Sequence, residues 1–135
     1  MSKQFLLEIV TPDREFFSGL VEELFVDTPT GEMEVMYHTL PMIASVSAGL
    51  ITIKQNGRKM EAACSDGFIR VGDVVTMLLN ACKWPYEVNE AETNAEIARL
   101  NSIIRNAQSV EEYKSAKAQL AMKFAQLRIK GVDRY

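Results

Sequence analysis

The sequence has few of the residues on which catalysis, metal binding or disulfide bonding depends. Its 135 residues include one histidine, two cysteines and one tryptophan. The lone His38 has no serine or cysteine nucleophile pattern beside it, so it is interpreted as a loop residue. Neither a G-x-x-x-x-G-K-[ST] nor a G-x-G-x-x-G phosphate loop occurs. We therefore expect a non-catalytic protein without a metal site or a cofactor.

Membrane and export signals are also missing. No run of about 18 apolar residues occurs, which predicts that no helix spans a membrane. Residues 1–4 lead directly into a strand pattern without the apolar segment of a secretory signal, which predicts a location in the cytoplasm or on the cytoplasmic face of a larger structure. Cys64 and Cys82 lie in apolar, strand-like sequence without C-x-x-C spacing, so we expect two buried free thiols.

The chain changes character at Trp84-Pro85. Before this point, short apolar segments alternate with turn pairs such as Asn56-Gly57, which is the strongest hairpin signal in the sequence. Phe16-Phe17 is expected to be a short strand that Ser18-Gly19 interrupts. Many short strands at this spacing predict a sandwich or barrel with mostly antiparallel pairing.

After Pro85 the pattern becomes helical. Asn89 with Glu92, and Ser109 with Glu112, fit two capping boxes, each of which opens a helix. The short link between the helices predicts that they pair antiparallel, and Gly131 is the expected stop. For the second helix we expect an apolar face at these positions: Tyr113, Ala116, Leu120, Phe124 and Leu127.

Charge follows the same division. Residues 1–88 hold 12 acidic and 7 basic side chains, whereas residues 89–135 hold 6 acidic and 8 basic ones. The basic end is either an ordinary solvated helix face or a docking surface for an acidic protein partner. Aromatic residues do not interleave with the basic ones, and the sequence pI is about 5.2, which argues against nucleic-acid binding. A free-standing adaptor and, with almost no residue support, a small enzyme remain as other classes.

Several segments, in this order and spacing, resemble the bacterial epsilon subunit of F-type ATP synthase. They cover essentially the whole chain and are F-S-G-L-V-E at 17–22, G-E at 31–32, Pro41, G-L-I-T-I at 49–53, S-D-G-F at 65–68, A-Q-L-A at 118–121 and A-Q-L-R at 125–128. S-D-G-F replaces that family's Ser-Gly-Gly-Phe turn with one change.

The resemblance implies an α+β protein with two parts. Residues 1–86 would form a ten-stranded β-sandwich that binds the gamma subunit and the ring of c subunits. Residues 87–135 would form an antiparallel two-helix hairpin that can extend toward the alpha and beta subunits and restrain ATP hydrolysis, with a hinge at Trp84-Pro85. Such a subunit is a non-catalytic rotor part that couples ion translocation to ATP synthesis. It would sit on the cytoplasmic face of the bacterial cell membrane and touch the membrane only through the c ring.

The resemblance also implies roles for individual residues. Gly31 and Glu32 match the family's ring-facing loop. His38 lies in the following loop, displaced by one position from the family's Pro-Gly-His-Ala-Pro pattern.

On the second helix, the resemblance assigns contact with an acidic segment of the beta subunit to Lys114, Lys123 and Arg128. Some family members bind ATP through an Asp and an Arg that open the first helix, helped by arginines on the second. Here these four positions are Asn89, Glu92, Met122 and Gln126, and Glu92 would repel phosphate. We therefore expect no useful ATP binding.

Overall fold

The computed structural model describes residues 3–131, which form ten strands, one short turn of 3-10 helix and two α-helices. This confirms the predicted sandwich followed by a helical hairpin. The strands are β1 Phe5–Thr11, β2 Arg14–Val21, β3 Glu23–Thr28, β4 Gly31–Val35, β5 Met42–Val46, β6 Gly49–Gln55, β7 Arg58–Cys64, β8 Gly67–Val71, β9 Val74–Leu79 and β10 Cys82–Lys83. The helical part comprises the 3-10 turn Pro85–Glu87, α1 Glu90–Arg105 and α2 Val110–Lys130.

The strands form two five-stranded sheets that pack face to face. The first sheet has the order β2-β1-β9-β8-β5, and the second has the order β10-β7-β6-β3-β4. Their inner faces meet in a core that is fully closed to solvent at Leu7, Ile9, Leu24, Ile51 and Met77. Each of these residues alternates with more exposed neighbours along its strand, as one-sided burial of a sheet requires.

The strand pairing is mostly antiparallel, as expected, but one predicted strand break is wrong. Within residues 3–131, only β1 and β9 pair in parallel. The predicted interruption at Ser18-Gly19 is wrong. Both residues continue the ladder with β1, where Gly19 pairs with Leu7, so β2 is one strand of eight residues.

The local turn signals act as predicted. Asn56 and Gly57 both have positive φ, at 54° and 76°, and close the β6–β7 hairpin. At Gly67, an added Cβ would overlap the carbonyl oxygen of Leu78. Only glycine therefore fits the third position of the S-D-G-F turn, whereas the preceding position accepts Asp66.

Both helices begin at the predicted caps. The Asn89 side chain accepts the Glu92 backbone N–H at 3.0 Å, and the Ser109 side chain accepts that of Glu112 at 3.0 Å. Neither glutamate carboxylate returns a hydrogen bond within residues 3–131, so each box is half formed. Gly131 ends α2 in the left-handed conformation, with φ of 89°.

The hairpin lies folded against the outer face of the second sheet, where α2 packs on β6 and β7. A small seam closes this contact, formed by Ala63, Val88, Ala125 and Ile129 with half-buried Leu50 at its edge. We call these residues the docking seam.

The expected apolar face of α2 is partly wrong. Ala116 and Leu127 are buried, but Tyr113 and Phe124 are 43% and 45% exposed. The face that packs includes Ala125 and Ile129 instead, against Ala63 and Leu50 of the second sheet.

Candidate partner-binding surfaces

The residues expected to face the c ring lie at the two ends of one strand. Gly31 begins β4 and Glu32 follows it, both exposed beside the β3–β4 turn. His38 lies beyond the other end of β4, where its ring meets Tyr37 edge-on with 4.5 Å between ring centres. The four steps of β4 separate these ends by about 13 Å. β4 is an edge strand of its sheet. A single flat partner would therefore have to lie along β4 to touch both ends of the strand.

The outer face of the first sheet exposes several large apolar side chains around the polar Arg70 and Thr76. Phe68 and Leu78 are direct cross-strand partners and are 58% and 54% exposed. Ile43 on β5 and Leu20 on β2 extend this surface to both edges of the sheet. Exposed apolar surface of this extent on one sheet is typical of a protein-binding face. We call these four residues the outer apolar face.

The three basic residues expected to contact the beta subunit do not share one face of α2. At 3.6 residues per turn, Lys114 and Arg128 lie on roughly one side of the helix and Lys123 on the opposite side. Lys114 and Arg128 are exposed, whereas Lys123 is half-buried and lines the cleft toward α1. In the folded hairpin, Lys123 therefore points toward the neighbouring helix.

Three of the four residues at the family's ATP-binding positions do line one cleft, between the 3-10 turn and the two helices. Asn89, Glu92 and Gln126 contribute to it, with a volume of about 300 Å³. Met122 is buried and lines a neighbouring cleft under α2. Sequence reasoning missed Thr93, whose buried hydroxyl donates to the Asn89 carbonyl at 2.8 Å and approaches Gln126 Oε1 at 3.3 Å.

The charges around this cleft are unfavourable for a polyphosphate. Glu87, Glu92 and Glu96 line it together with two cations, Lys83 and Lys123. The carboxylates outnumber the cations, and the Asn89 oxygen is already used to cap α1. The cleft therefore lacks the arginine forks that recognise phosphate groups.

An ion pair that no sequence pattern indicated ties the 3-10 turn to the sandwich. Arg14 on β2 donates to both carboxylate oxygens of Glu87, at 2.7 Å and 2.8 Å, and to the carbonyl of Cys82 at 3.1 Å. The hydrogen bond from Arg14 lowers the pKa of the Glu87 carboxyl below its ordinary value. Beside it, Trp84 stacks on Phe16 with 4.4 Å between ring centres.

Both cysteines are free and buried, as expected. They are directly opposite each other where β7 pairs with β10. Burial raises the pKa of the Cys64 thiol to about 12 and raises the pKa of the Cys82 thiol as well. Thiols in this state are weak nucleophiles and weak metal ligands.

Within residues 3–131, no three His, Cys, Asp or Glu side chains are grouped to hold a metal ion. Over the same range, neither helix is both long and apolar enough to cross a bilayer.

Comparison with known proteins agrees with these features. A family model described as "ATP synthase, Delta/Epsilon chain, beta-sandwich domain" matches residues 4–85. The ATP synthase epsilon chain of Caldanaerobacter subterraneus subsp. tengcongensis is 38% identical over 137 residues, covering 100% of this chain and 98% of that protein. The epsilon chain of Ruminiclostridium cellulolyticum is 33% identical over 124 residues, covering 91% and 92%.

The fold also matches solved structures. A chain in the Euglena gracilis mitochondrial ATP synthase (OSCP/F1/c-ring) superposes with a TM-score of 0.76 at 17% identity, covering 94% of this chain and 81% of that one. A chain in the Tetrahymena thermophila mitochondrial ATP synthase (central stalk/c-ring) gives 0.62 at 12% identity, covering 97% and 98%. At this level of identity the likeness concerns the fold. With the family model and the bacterial relatives, the chain is shown to belong to the ATP synthase epsilon chain family.

Proposed function

We propose that this chain is a non-catalytic central-stalk subunit of a bacterial F-type ATP synthase. In this role the sandwich couples ion movement through the c ring to ATP synthesis, and the hairpin restrains ATP hydrolysis. The observation that carries the regulatory part is the docking seam. Two of its four buried residues are alanines, Ala63 and Ala125, so little apolar area holds the hairpin to the sandwich.

The sandwich offers two surfaces for two rotor partners. The hairpin covers the second sheet, which leaves the outer apolar face of the first sheet for the gamma subunit. The β4 edge, with Gly31 and Glu32 at one end and His38 at the other, is the proposed contact with the c ring. Through this contact the chain would be a peripheral protein on the cytoplasmic face of the cell membrane.

The hairpin would act on the alpha and beta subunits only after it leaves the sandwich. In the docked form, Lys123 faces the cleft toward α1, and Lys114 and Arg128 lie about 21 Å apart along the other side of α2. Release would allow Lys123 to reach an acidic segment of the beta subunit. The carboxylates around the cleft support the further proposal that ATP is not the ligand that controls release.

Co-purification tests membership in the complex. A tagged chain should retain the gamma subunit and the catalytic head, and failure to retain them would refute the rotor role. Phe68→Asp on the outer apolar face should weaken gamma retention. Tyr86→Asp is the matched control, because Tyr86 is 80% exposed but lies outside that face.

Truncation tests the restraint of hydrolysis. A chain ending after residue 88 keeps every strand of the sandwich and lacks both helices. The ATP synthase carrying it should hydrolyse ATP faster than the enzyme with the full chain, while gamma retention is unchanged. An unchanged rate with normal assembly would contradict a restraining hairpin.

A further inference from the structure

The 3-10 turn Pro85–Glu87 is bonded on two sides, to the sandwich and to the end of α2. We propose that Arg14 is a positioning residue that holds this turn to the sandwich and thereby keeps the C-terminal end of α2 docked. The pivot of the hairpin then lies after Glu87, and Trp84-Pro85 stays with the sandwich. The regulatory meaning rests on the proposed function, whereas the contacts themselves do not.

On the sandwich side, Arg14 binds the turn through both carboxylate oxygens of Glu87. Its two parallel N–H···O bonds to Glu87, at 2.7 Å and 2.8 Å, form the bidentate arrangement that only arginine provides. The Glu87 Oε1 atom also accepts the Trp84 backbone N–H at 2.9 Å, which fixes the carboxylate within the turn. The Arg14 guanidinium lies 5.1 Å from the centre of the Phe16 ring, and Trp84 stacks on the same ring.

On the helix side, the turn supplies two contacts to α2. Lys130 Nζ donates to the Pro85 carbonyl at 3.4 Å. Val88, the residue after the turn, is buried in the docking seam with Ala125 and Ile129. A displaced turn would lose both contacts, although Arg14 itself lies on β2 of the other sheet.

These contacts place the pivot of the hairpin at a different position from the one expected from the sequence. Trp84-Pro85 is the hinge that the family resemblance implies. Instead, Trp84 packs against the sandwich core and Glu87 is bonded to Arg14. Asn89, an exposed helix cap, is the first residue beyond the seam. Release of the hairpin therefore requires Val88 to leave its contacts, while residues 84–87 remain in place.

Hydrogen exchange of the full-length chain, in the absence of other subunits, tests the proposal. Arg14→Met removes all three hydrogen bonds and keeps an apolar stem, and should speed exchange in residues 122–131 by about threefold to tenfold. Arg14→Lys keeps the charge without the fork and should give a smaller increase of the same kind. Lys54→Met is the matched control, since it removes the Lys54–Glu23 pair at 3.4 Å, away from the turn.

A double-mutant cycle separates a shared contact from independent effects. Glu87→Gln should raise the same exchange rates, and the Arg14→Met/Glu87→Gln double variant should exceed Arg14→Met alone only slightly. Trp84 is the one tryptophan of the chain, so quenching of its fluorescence reports how far the 3-10 turn itself is exposed. Unchanged exchange in 122–131 for both Arg14 variants, or full additivity in the cycle, would overturn the proposal. Because no synthase is present, either result is independent of the proposed function.

Discussion

Ile129→Ala tests most directly how weakly the hairpin is held. Ile129 is 7% exposed and contributes the largest side chain near the end of α2 to the docking seam. Removing three carbons from a buried isoleucine costs about 2–4 kcal/mol. If that loss falls on the docked form alone, the ratio of docked to released hairpin falls by about 30-fold to 1,000-fold, since 1.4 kcal/mol is tenfold.

The first residue of the same helix supplies a matched control. Val110→Ala is also an aliphatic truncation on α2, but Val110 is 67% exposed and lies outside the seam. Hydrogen exchange in residues 122–131 should rise strongly for Ile129→Ala and remain unchanged for Val110→Ala. In both variants, amides of β1 and β9 should keep their protection because the sandwich core is untouched.

The same variant has a functional readout. More released hairpin should mean stronger restraint, so the ATP synthase carrying Ile129→Ala should hydrolyse ATP more slowly than the enzyme with the unaltered chain. Equal exchange for Ile129→Ala and Val110→Ala would refute the reasoning that the docking seam holds the hairpin. Faster exchange for Ile129→Ala with an unchanged rate of ATP hydrolysis would still support the docking seam as the contact that holds the hairpin. It would contradict the proposal that the released hairpin restrains hydrolysis.

Three further results are expected. Gly67→Ala should destabilise the sandwich by about 3 kcal/mol or more in thermal unfolding, because its Cβ would overlap a β9 carbonyl, whereas Gly72→Ala should change little since the nearest atom lies at 3.7 Å. Cys64 and Cys82 should resist a thiol reagent at pH 8 in the native chain and react fully in denaturant, because burial raises both pKa values. The pKa of Glu87 is lowered in the folded chain, so its stabilisation is complete above the ordinary glutamate pKa. Docking of the hairpin, measured by hydrogen exchange corrected for the intrinsic exchange rate, should therefore stay constant from pH 6 to 8. It should weaken only at acidic pH, where Glu87 becomes protonated. A change in docking near neutral pH would contradict this expectation.

The parts of the fold that could be predicted from the sequence depend on local chemistry. Asn56-Gly57 specifies a hairpin because both positions adopt positive φ. Asn89 and Ser109 specify helix starts because their side chains accept nearby backbone N–H groups. In each case the interacting residues are close together in the chain, so the local sequence pattern alone is enough to predict the structure.

The parts that could not be predicted depend on distant partners. Arg14 and Glu87 are 73 positions apart, and neither lies in a pattern that marks the other. The continuity of β2 through Gly19 depends on the ladder with β1, which outweighs a local break signal. The packed face of α2 depends on which residues β6 and β7 present to it, and helical spacing alone allows several faces.

The contrast between the two apolar clusters is consistent with the proposal that the hairpin detaches while the sandwich stays folded. The sandwich core contains fully closed leucine, isoleucine and methionine side chains such as Leu7, Ile51 and Met77. The docking seam depends on alanines and on Ile129, so its loss exposes far less apolar area than opening the core would. In the proposed function, the hairpin would detach at a free-energy cost that leaves the sandwich folded, and in our proposal the Arg14–Glu87 pair sets where along the chain detachment begins.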